Sequence, residues 1–92
     1  MIYLAESGST KCDAVFINKN GEEIRRFRHI GFNPYFHNSD FVATEIQKIP
    51  EVRELGEKIE QVYFYGAGCS SPKLNQIIAD GLKAGFPNAE IK

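Results

Sequence analysis

Residue types that could bind a phosphate group stand together near the start of the chain. Glu6 precedes a turn of small residues, Gly8-Ser9-Thr10, and Lys11 follows it. Small residues let a backbone approach a ligand closely, and successive N–H groups in such a turn can bind an anion. Hydroxyls and an ammonium group suit phosphate oxygens, and a carboxylate could hold Mg²⁺ directly or through water. A plain hairpin turn explains the same residues, and from this segment alone we favour the turn.

A second group of residues, positions 31–37, could contact a polar ligand such as a sugar. Asn33 carries an amide that both donates and accepts, which suits sugar hydroxyls, although an asparagine before a proline is also a common turn residue. The aromatic residues Phe32, Tyr35 and Phe36 could line a pocket. We expect most of these rings to pack in the core instead, because aromatic side chains bury large apolar areas.

A third group is the Gly66-Ala67-Gly68 turn, which follows an apolar run and precedes a helical pattern. A lone glycine pair is most simply a tight strand-to-helix turn, but it also allows a backbone to approach a ligand at a helix N-terminus. Ligands in open α/β sheets bind outside the carboxyl ends of the strands. The three groups therefore share one site if their strands lie side by side.

The remaining reactive residue types do not form a recognisable site. His29 and His37 have no partners at metal-ligand spacing, and Cys12 and Cys69 predict neither a disulfide framework nor a metal site. Asp13 directly follows the first group and is interpreted as a surface carboxylate. The roles of Asp13 and Cys69 stay open at this stage.

Three strands are predicted in the first third of the chain. Residues 2–6 are almost all apolar and predict a strand buried on both faces. Residues 12–18 predict a second strand, and an Asn-Gly pair then predicts a tight hairpin. Residues 22–30 are rich in charge, which is typical of an edge strand. Together they predict an antiparallel meander.

The rest of the chain alternates helices with one more strand. Asn38 or Ser39 is expected to cap a helix, residues 61–65 predict a strand parallel to an earlier one, and Ser71 caps a further helix with Pro72 at its first position. Residues 88–92 read as the approach to another strand. The order β-β-β-α-β-α, with its last strand missing, predicts an α/β fold with a mixed sheet, the half-domain of a ribonuclease-H-like (actin-like ATPase) fold.

Composition excludes several classes of protein. The chain has 92 residues, with 42% hydrophobic and 25% charged residues and a formal net charge of −1, as expected of one small globular domain. No block of basic residues predicts nucleic-acid binding, and no apolar run has transmembrane length. No signal peptide is recognisable either. We therefore expect a cytoplasmic protein without nucleic-acid or membrane partners.

Three segments in this order resemble the N-acetylglucosamine kinase-like proteins, which group with the BadF-type ATPases in the actin and sugar-kinase superfamily. The segments are residues 5–13, 31–37 and 63–69, and the resemblance covers the whole chain. It implies that the turn of Gly8, Ser9, Thr10 and Lys11 wraps the phosphates of ATP, with Thr10 closest, and that Glu6 helps to hold Mg²⁺. It further implies that Asn33 contacts an amino sugar and that Gly66 and Gly68 form the floor of the sugar site.

The resemblance also implies that the chain is part of a longer protein. Members of the family are much longer, and the aspartate that acts as general base lies beyond Lys92. Residues 1–92 are therefore expected to be a truncated N-terminal domain without a catalytic residue of its own, and inactive alone. The parent protein would be an ATP-dependent amino-sugar kinase.

Two alternatives remain open. The family includes ATPases that activate a dehydratase and bind an iron–sulfur cluster through cysteines, for which Cys12 and Cys69 are poor candidates. The chain could also be a non-catalytic module that associates with another chain, including a second copy of itself, through an unpaired sheet edge.

Overall fold

The computed structural model describes residues 1–91. Its strands and helices, in chain order, are β1 (Ile2–Ser7), β2 (Lys11–Ile17), β3 (Glu23–Ile30), α1 (Ser39–Ile46), α2 (Pro50–Leu55), a 3₁₀ turn (Gly56–Lys58), β4 (Gln61–Gly66), α3 (Pro72–Leu82) and β5 (Glu90–Ile91).

The strands form one mixed sheet in the order β3-β2-β1-β4-β5. β2 pairs antiparallel with both β1 and β3, whereas β4 runs parallel to β1 and β5 runs parallel to β4. The helical crossover between β3 and β4 makes this parallel pairing possible. The predicted α/β fold of a ribonuclease-H-like half-domain is thus confirmed.

The sheet has one strand more than the predicted order, which ended with a helix. In β5, Glu90 pairs with Gln61 and Ile91 pairs with Val62. The backbone N–H of Glu90 also donates to the carbonyl of Glu60 at 2.9 Å. The tail thus begins the expected strand, because β4 offers it free backbone groups.

All helices pack on one face of the sheet. Tyr3, Ala5 and Ser7 alternate along β1 and are buried on that face, as strand geometry requires. The buried apolar side chains of α1, α2 and α3 join the same core cluster. Leu4 is only half-buried and Glu6 is exposed. The prediction that β1 is buried on both faces is therefore wrong, because no helix in residues 1–91 covers the second face, here called the open face.

Aromatic rings fill the centre of the core. Tyr3, Phe16 and Phe86 are fully buried, and the ring centroids of Tyr3 and Phe86 are 4.6 Å apart. Burying rings of this size supplies much of the apolar stabilisation of a small domain. The Phe27 ring packs on Phe16 at 5.0 Å and connects the edge strand β3 to this core.

Side chains cap both helices that follow the predicted site loops. The side chain of Asn38 accepts a hydrogen bond from the backbone N–H of Phe41, and the side chain of Ser71 accepts one from Leu74. These caps satisfy N–H groups that have no partner within the helix. They fix the points at which the chain leaves the 31–37 and 66–71 loops.

Candidate functional site

Three loops meet where β1 and β4 end. The N–H of Phe32 donates to Ser7 Oγ at 2.9 Å, and the N–H of Ala67 donates to the carbonyl of Ser7, also at 2.9 Å. The N–H of Gly31 donates to the carbonyl of Thr10 at 3.0 Å. These bonds join the 8–11 turn, the 31–37 loop and the 66–71 loop, which we call the loop cluster.

Ser7 is a structural residue of this cluster that sequence reasoning did not identify. It is buried, and its hydroxyl donates to the carbonyl of Gly8 while accepting from Phe32. The alternation of Tyr3, Ala5 and Ser7 along β1 could have indicated that Ser7 faces the core. Its partner could not be found in this way, because Phe32 lies 25 positions further along the chain.

The 8–11 turn presents hydrogen-bond donors to solvent. The N–H of Gly8 donates to the carbonyl of Lys11 at 2.8 Å and closes the turn. Ser9 and Thr10 are exposed, and among residues 1–91 their backbone N–H groups have no protein acceptor. Within the same residues the ammonium group of Lys11 forms no ion pair. The tip of the turn can therefore donate several hydrogen bonds to one ligand.

Gly31 is the support on which this turn rests. A Cβ atom at this position would collide with the carbonyl oxygen of Gly8 and would lie 2.8 Å and 2.9 Å from the backbone nitrogens of Lys11 and Thr10. These neighbours are backbone atoms of a closed turn, which cannot yield cheaply. Only glycine lets the 31–37 loop approach the turn this closely.

Asn33 lies at the centre of the cluster and is 6% exposed. Its side-chain Nδ2 donates to Ser9 Oγ at 3.0 Å, and its Oδ1 accepts from the N–H of Tyr35 at 2.9 Å. Its carbonyl accepts from the N–H groups of Phe36 and His37, both at 2.9 Å. Asn33 thus orders its own loop and connects that loop to the 8–11 turn.

The two glycines of the 66–71 loop lie in close contacts, and Gly68 packs against Asn33 itself. Gly68 has a φ of +79°, and a Cβ atom there would collide with Asn33 Oδ1. The hydroxyls of Tyr35 and Ser70 lie 3.4 Å apart and join the two loops again. A Cβ atom on Gly66 would lie 2.6 Å from the ring of Phe64. The backbone of this loop therefore borders Asn33 directly.

Glu6 lies on the open face, beside the cluster. Its cross-strand neighbours are Asp13 on β2 and Tyr65 on β4. Asp13 forms an ion pair with Arg28 at 2.7 Å, in which both side chains are largely exposed, so Asp13 is the surface carboxylate that was expected. Glu6 has no ion pair within residues 1–91, and its carboxylate stays available to a ligand.

The donor set fits a nucleotide-bound Mg²⁺ and does not form a metal site of protein atoms alone. Residues 1–91 contain no group of three or more His, Cys, Asp or Glu side chains that could hold a metal ion. Mg²⁺ beside phosphates usually takes one or two carboxylates and completes its shell with waters and phosphate oxygens. One free carboxylate at Glu6, next to a turn of phosphate-type donors, matches that pattern.

The aromatic residues of the 31–37 loop are divided between core and surface. Phe32 is fully buried, whereas Tyr35 and Phe36 are 65% and 75% exposed. The expectation that most of these rings pack in the core is wrong for two of the three. The carbonyl of Asn33 accepts from the N–H groups of Phe36 and His37, which turns the chain back and leaves the side chains of Tyr35 and Phe36 exposed.

Burial, complete or partial, favours the neutral forms of three titratable groups near the cluster. His29 Nε2 lies 2.8 Å from the hydroxyl of Tyr3, and burial lowers the pKa of His29. Burial also raises the pKa of the Cys12 thiol to about 11 and raises that of Cys69. Neither thiol has the low pKa of a reactive nucleophile, and both are free.

This sheet order, with three loops gathered at the carboxyl ends of β1 and β4, defines a half-domain of the ribonuclease-H-like type that sugar kinases use. Over 99% of its length the chain is similar to a solved protein from Porphyromonas gingivalis, described as the putative N-acetylglucosamine kinase, with 32% sequence identity and a TM-score of 0.84. The resemblance inferred from the three segments is thereby confirmed.

The match is partial with respect to the other protein, because the chain spans 32% of that protein's length. No family model matches the chain, and none of the curated proteins does. In the described part of the chain, no helix has both the length and the apolar character needed to cross a membrane.

Proposed function

We propose that this chain supplies the phosphate-binding side of an ATP-dependent kinase that phosphorylates an amino sugar of the N-acetylglucosamine class. The observation that carries the proposal is the loop cluster, in which an outward-facing turn of donors is hydrogen-bonded to Asn33 of the 31–37 loop, while the 66–71 loop is hydrogen-bonded to Ser7 beside it. The similarity to a solved protein described as a kinase of this sugar supports the same conclusion.

In this proposal the 8–11 turn binds the phosphate chain of ATP. The N–H groups and hydroxyls of Ser9 and Thr10 donate to phosphate oxygens, Gly8 allows close approach, and Lys11 contributes positive charge. Glu6 holds Mg²⁺, directly or through water. ATP supplies the transferred phosphoryl group, and these residues of the chain bind and orient it by charge and position.

The amino sugar is proposed to lie against the other two loops. The side-chain amide of Asn33 uses one proton of Nδ2 and one lone pair of Oδ1 in hydrogen bonds within the protein. The second proton and the second lone pair remain for a sugar hydroxyl. Gly66 and Gly68 give the floor of this site a bare backbone. The exposed ring of Tyr35 borders Gly68, since a Cβ atom on Gly68 would lie 2.9 Å from it.

The same proposal covers the organisation of the parent protein. Residues 1–92 form the N-terminal part of a longer kinase, and the aspartate that takes the proton from the sugar hydroxyl follows Lys92. The similar protein, of which this chain spans about a third, supports this arrangement. A cytoplasmic location belongs to the proposal as well, and the two free thiols suit it.

Binding and turnover test the proposal separately. Titration of the ¹⁵N-labelled chain with Mg-ATP should shift the amide resonances of Ser9 and Thr10. We expect Lys11→Ala to weaken this binding about fivefold to tenfold, since it removes a cation beside the phosphates. Lys19→Ala is the matched control, because Lys19 is also an exposed turn lysine but lies at the opposite end of the strands.

The second measurement uses a longer protein that contains this chain followed by its downstream segment. Its ATP consumption should depend on N-acetylglucosamine and should produce the sugar phosphate. ATP hydrolysis that is indifferent to the sugar would instead favour the dehydratase-activator class. A chain that shows no amide shifts with Mg-ATP would contradict the assignment of the 8–11 turn.

A further inference from the structure

The hydrogen-bond polarity around Asn33 is fixed by a backbone group. The N–H of Tyr35 can only donate, so the side-chain atom of Asn33 that lies 2.9 Å away is the acceptor Oδ1. The other amide atom is therefore Nδ2, which can only donate, and it lies 3.0 Å from Ser9 Oγ. Ser9 consequently accepts this hydrogen bond.

Accepting that bond leaves the proton of Ser9 unused. A hydroxyl carries one proton and two lone pairs, and the amide of Asn33 occupies one lone pair. Within residues 1–91 the hydroxyl of Ser9 donates to no acceptor. Its proton is thus available at the tip of the turn, beside the free N–H of Thr10, and both groups face solvent as donors.

Asn33 cannot easily reverse this arrangement. Its side chain is almost completely buried, and its Oδ1 lies so close to Gly68 that a Cβ atom there would collide with it. A rotated amide would place Nδ2 against the N–H of Tyr35, leaving two donors face to face and unsatisfied, which is costly in a buried position. The polarity is therefore set before a ligand arrives.

We propose that Asn33 is a positioning residue that holds Ser9 as a hydrogen-bond donor and so selects ligand oxygens that only accept, such as those of a phosphate chain. The inference rests on the proposed function and adds a role for Asn33 beyond contact with the sugar. It predicts that the direction of the hydrogen bond between residues 33 and 9 reverses when the side chain of residue 33 can only accept. An aspartate there would accept a hydrogen bond from the hydroxyl of Ser9, and the lone pairs of that hydroxyl would then face the incoming anion.

A double-mutant cycle with inorganic triphosphate as the probe tests this role. The 92-residue chain is titrated as wild type, Ser9→Ala, Asn33→Asp and the double variant, and dissociation constants are read from amide shifts. We expect Ser9→Ala to weaken wild-type binding about fivefold to tenfold and Asn33→Asp to weaken it at least about tenfold. In the Asn33→Asp background, Ser9→Ala should cause no further loss.

The control for added charge is Asn38→Asp. Asn38 is exposed, and its side chain only accepts from the N–H of Phe41, which an aspartate also does. This variant should bind triphosphate within about twofold of wild type, because charge at a distance is screened. Ser9→Thr retains a hydroxyl and should retain most of the binding. An Asn33→Asp chain that binds like Asn38→Asp would overturn the proposal.

Two spectroscopic observations separate polarity from disruption of the loop. The amide resonances of Gly8 and Gly31, which report the closed turn and its support, should stay in place in Asn33→Asp. In the unmodified loop, Ser9→Ala should shift the side-chain amide resonances of Asn33. If that shift is absent, the proposed hydrogen bond does not exist and the inference fails, whatever happens to the folding of Asn33→Asp.

The outcomes also separate this inference from the proposed function. If the wild-type chain binds no triphosphate, the phosphate-binding assignment and this inference both fall. If the wild-type chain binds triphosphate, and Ser9→Ala weakens that binding by the same factor in the wild-type and Asn33→Asp chains, only the role of Asn33 is overturned.

Discussion

Gly31 shows how a single residue can support a turn that it does not belong to, here the 8–11 turn that we propose binds phosphate. Its Cα lies against the backbone of the 8–11 turn, and its N–H donates to the carbonyl of Thr10. We expect Gly31→Ala to lower the free energy of unfolding by about 1–3 kcal/mol, because the added methyl group must displace backbone atoms. Urea unfolding measures the loss, and the same variant should weaken triphosphate binding.

The control for this prediction is Gly8→Ala in the same turn. A Cβ atom on Gly8 would meet only the carbonyl oxygen of Lys11 at 3.6 Å, which is an ordinary contact. Gly8→Ala should change the free energy of unfolding by no more than about 0.5 kcal/mol, as substitutions at most exposed positions do. Equal losses for the two variants would show that the close approach of Gly31 is not what supports the turn.

At the scale of elements, the packing of α1 against α3 depends on Gly81, a glycine in the last turn of α3. A Cβ atom on Gly81 would collide with Val42 and lie 2.9 Å from the carbonyl of Ser39. Gly81→Ala should gain at most about 1 kcal/mol of helix propensity, because Gly81 lies in the last turn, and should lose about 1–3 kcal/mol to the clash. The net result should be a chain that unfolds at lower urea concentration.

An exposed position of the same helix provides the comparison. Asn75→Ala adds helix propensity without a steric cost and should stabilise the chain by up to about 0.7 kcal/mol. If Gly81→Ala is stabilising by a similar amount, α1 can move away from α3 at little cost, and the close contact is not a constraint.

The helices and strands were predictable from sequence, whereas the contacts between the loops that connect them were not. The apolar run of residues 2–6, the Asn-Gly turn and the Ser71-Pro72 start are local patterns, and each predicted the right element. The close approach of Gly31 to the 8–11 turn and the bond between Asn33 and Ser9 depend on which strands lie side by side. Such contacts follow from the sheet order, which residue patterns alone do not determine.

At the scale of the whole molecule, buried titratable groups set a window of pH in which the fold is most stable. Burial lowers the pKa of His29 below its ordinary 6.5, so the unfolded chain binds this proton first. Stability should therefore fall as pH drops from above 6.5 towards the folded pKa. Urea midpoints at pH 7.5 and 5.5 measure this loss, which His29→Gln should abolish and His37→Gln should not.

The alkaline side of the window has a different origin. The pKa of Cys12 rises from 9.0 to about 11 in the folded chain, and burial also raises that of Tyr3. Both groups favour the fold while neutral, so stability should decline as pH increases from about 9 to about 11. In Cys12→Ala the decline should begin at higher pH, where Tyr3 ionises in the unfolded chain. An unchanged onset would contradict the assignment to Cys12.

The placement of the two described ends has a practical consequence for handling the molecule. The carbonyl of Met1 accepts from the N–H of Glu60, and the carbonyl of Glu60 accepts from the N–H of Glu90, so both ends flank the same residue where β1, β4 and β5 begin. The loop cluster lies at the far end of β1, about 20 Å away at the usual rise per residue. An affinity tag or a surface tether on Met1 therefore leaves the cluster open to solution, and a short linker can join the ends into a circular permutant.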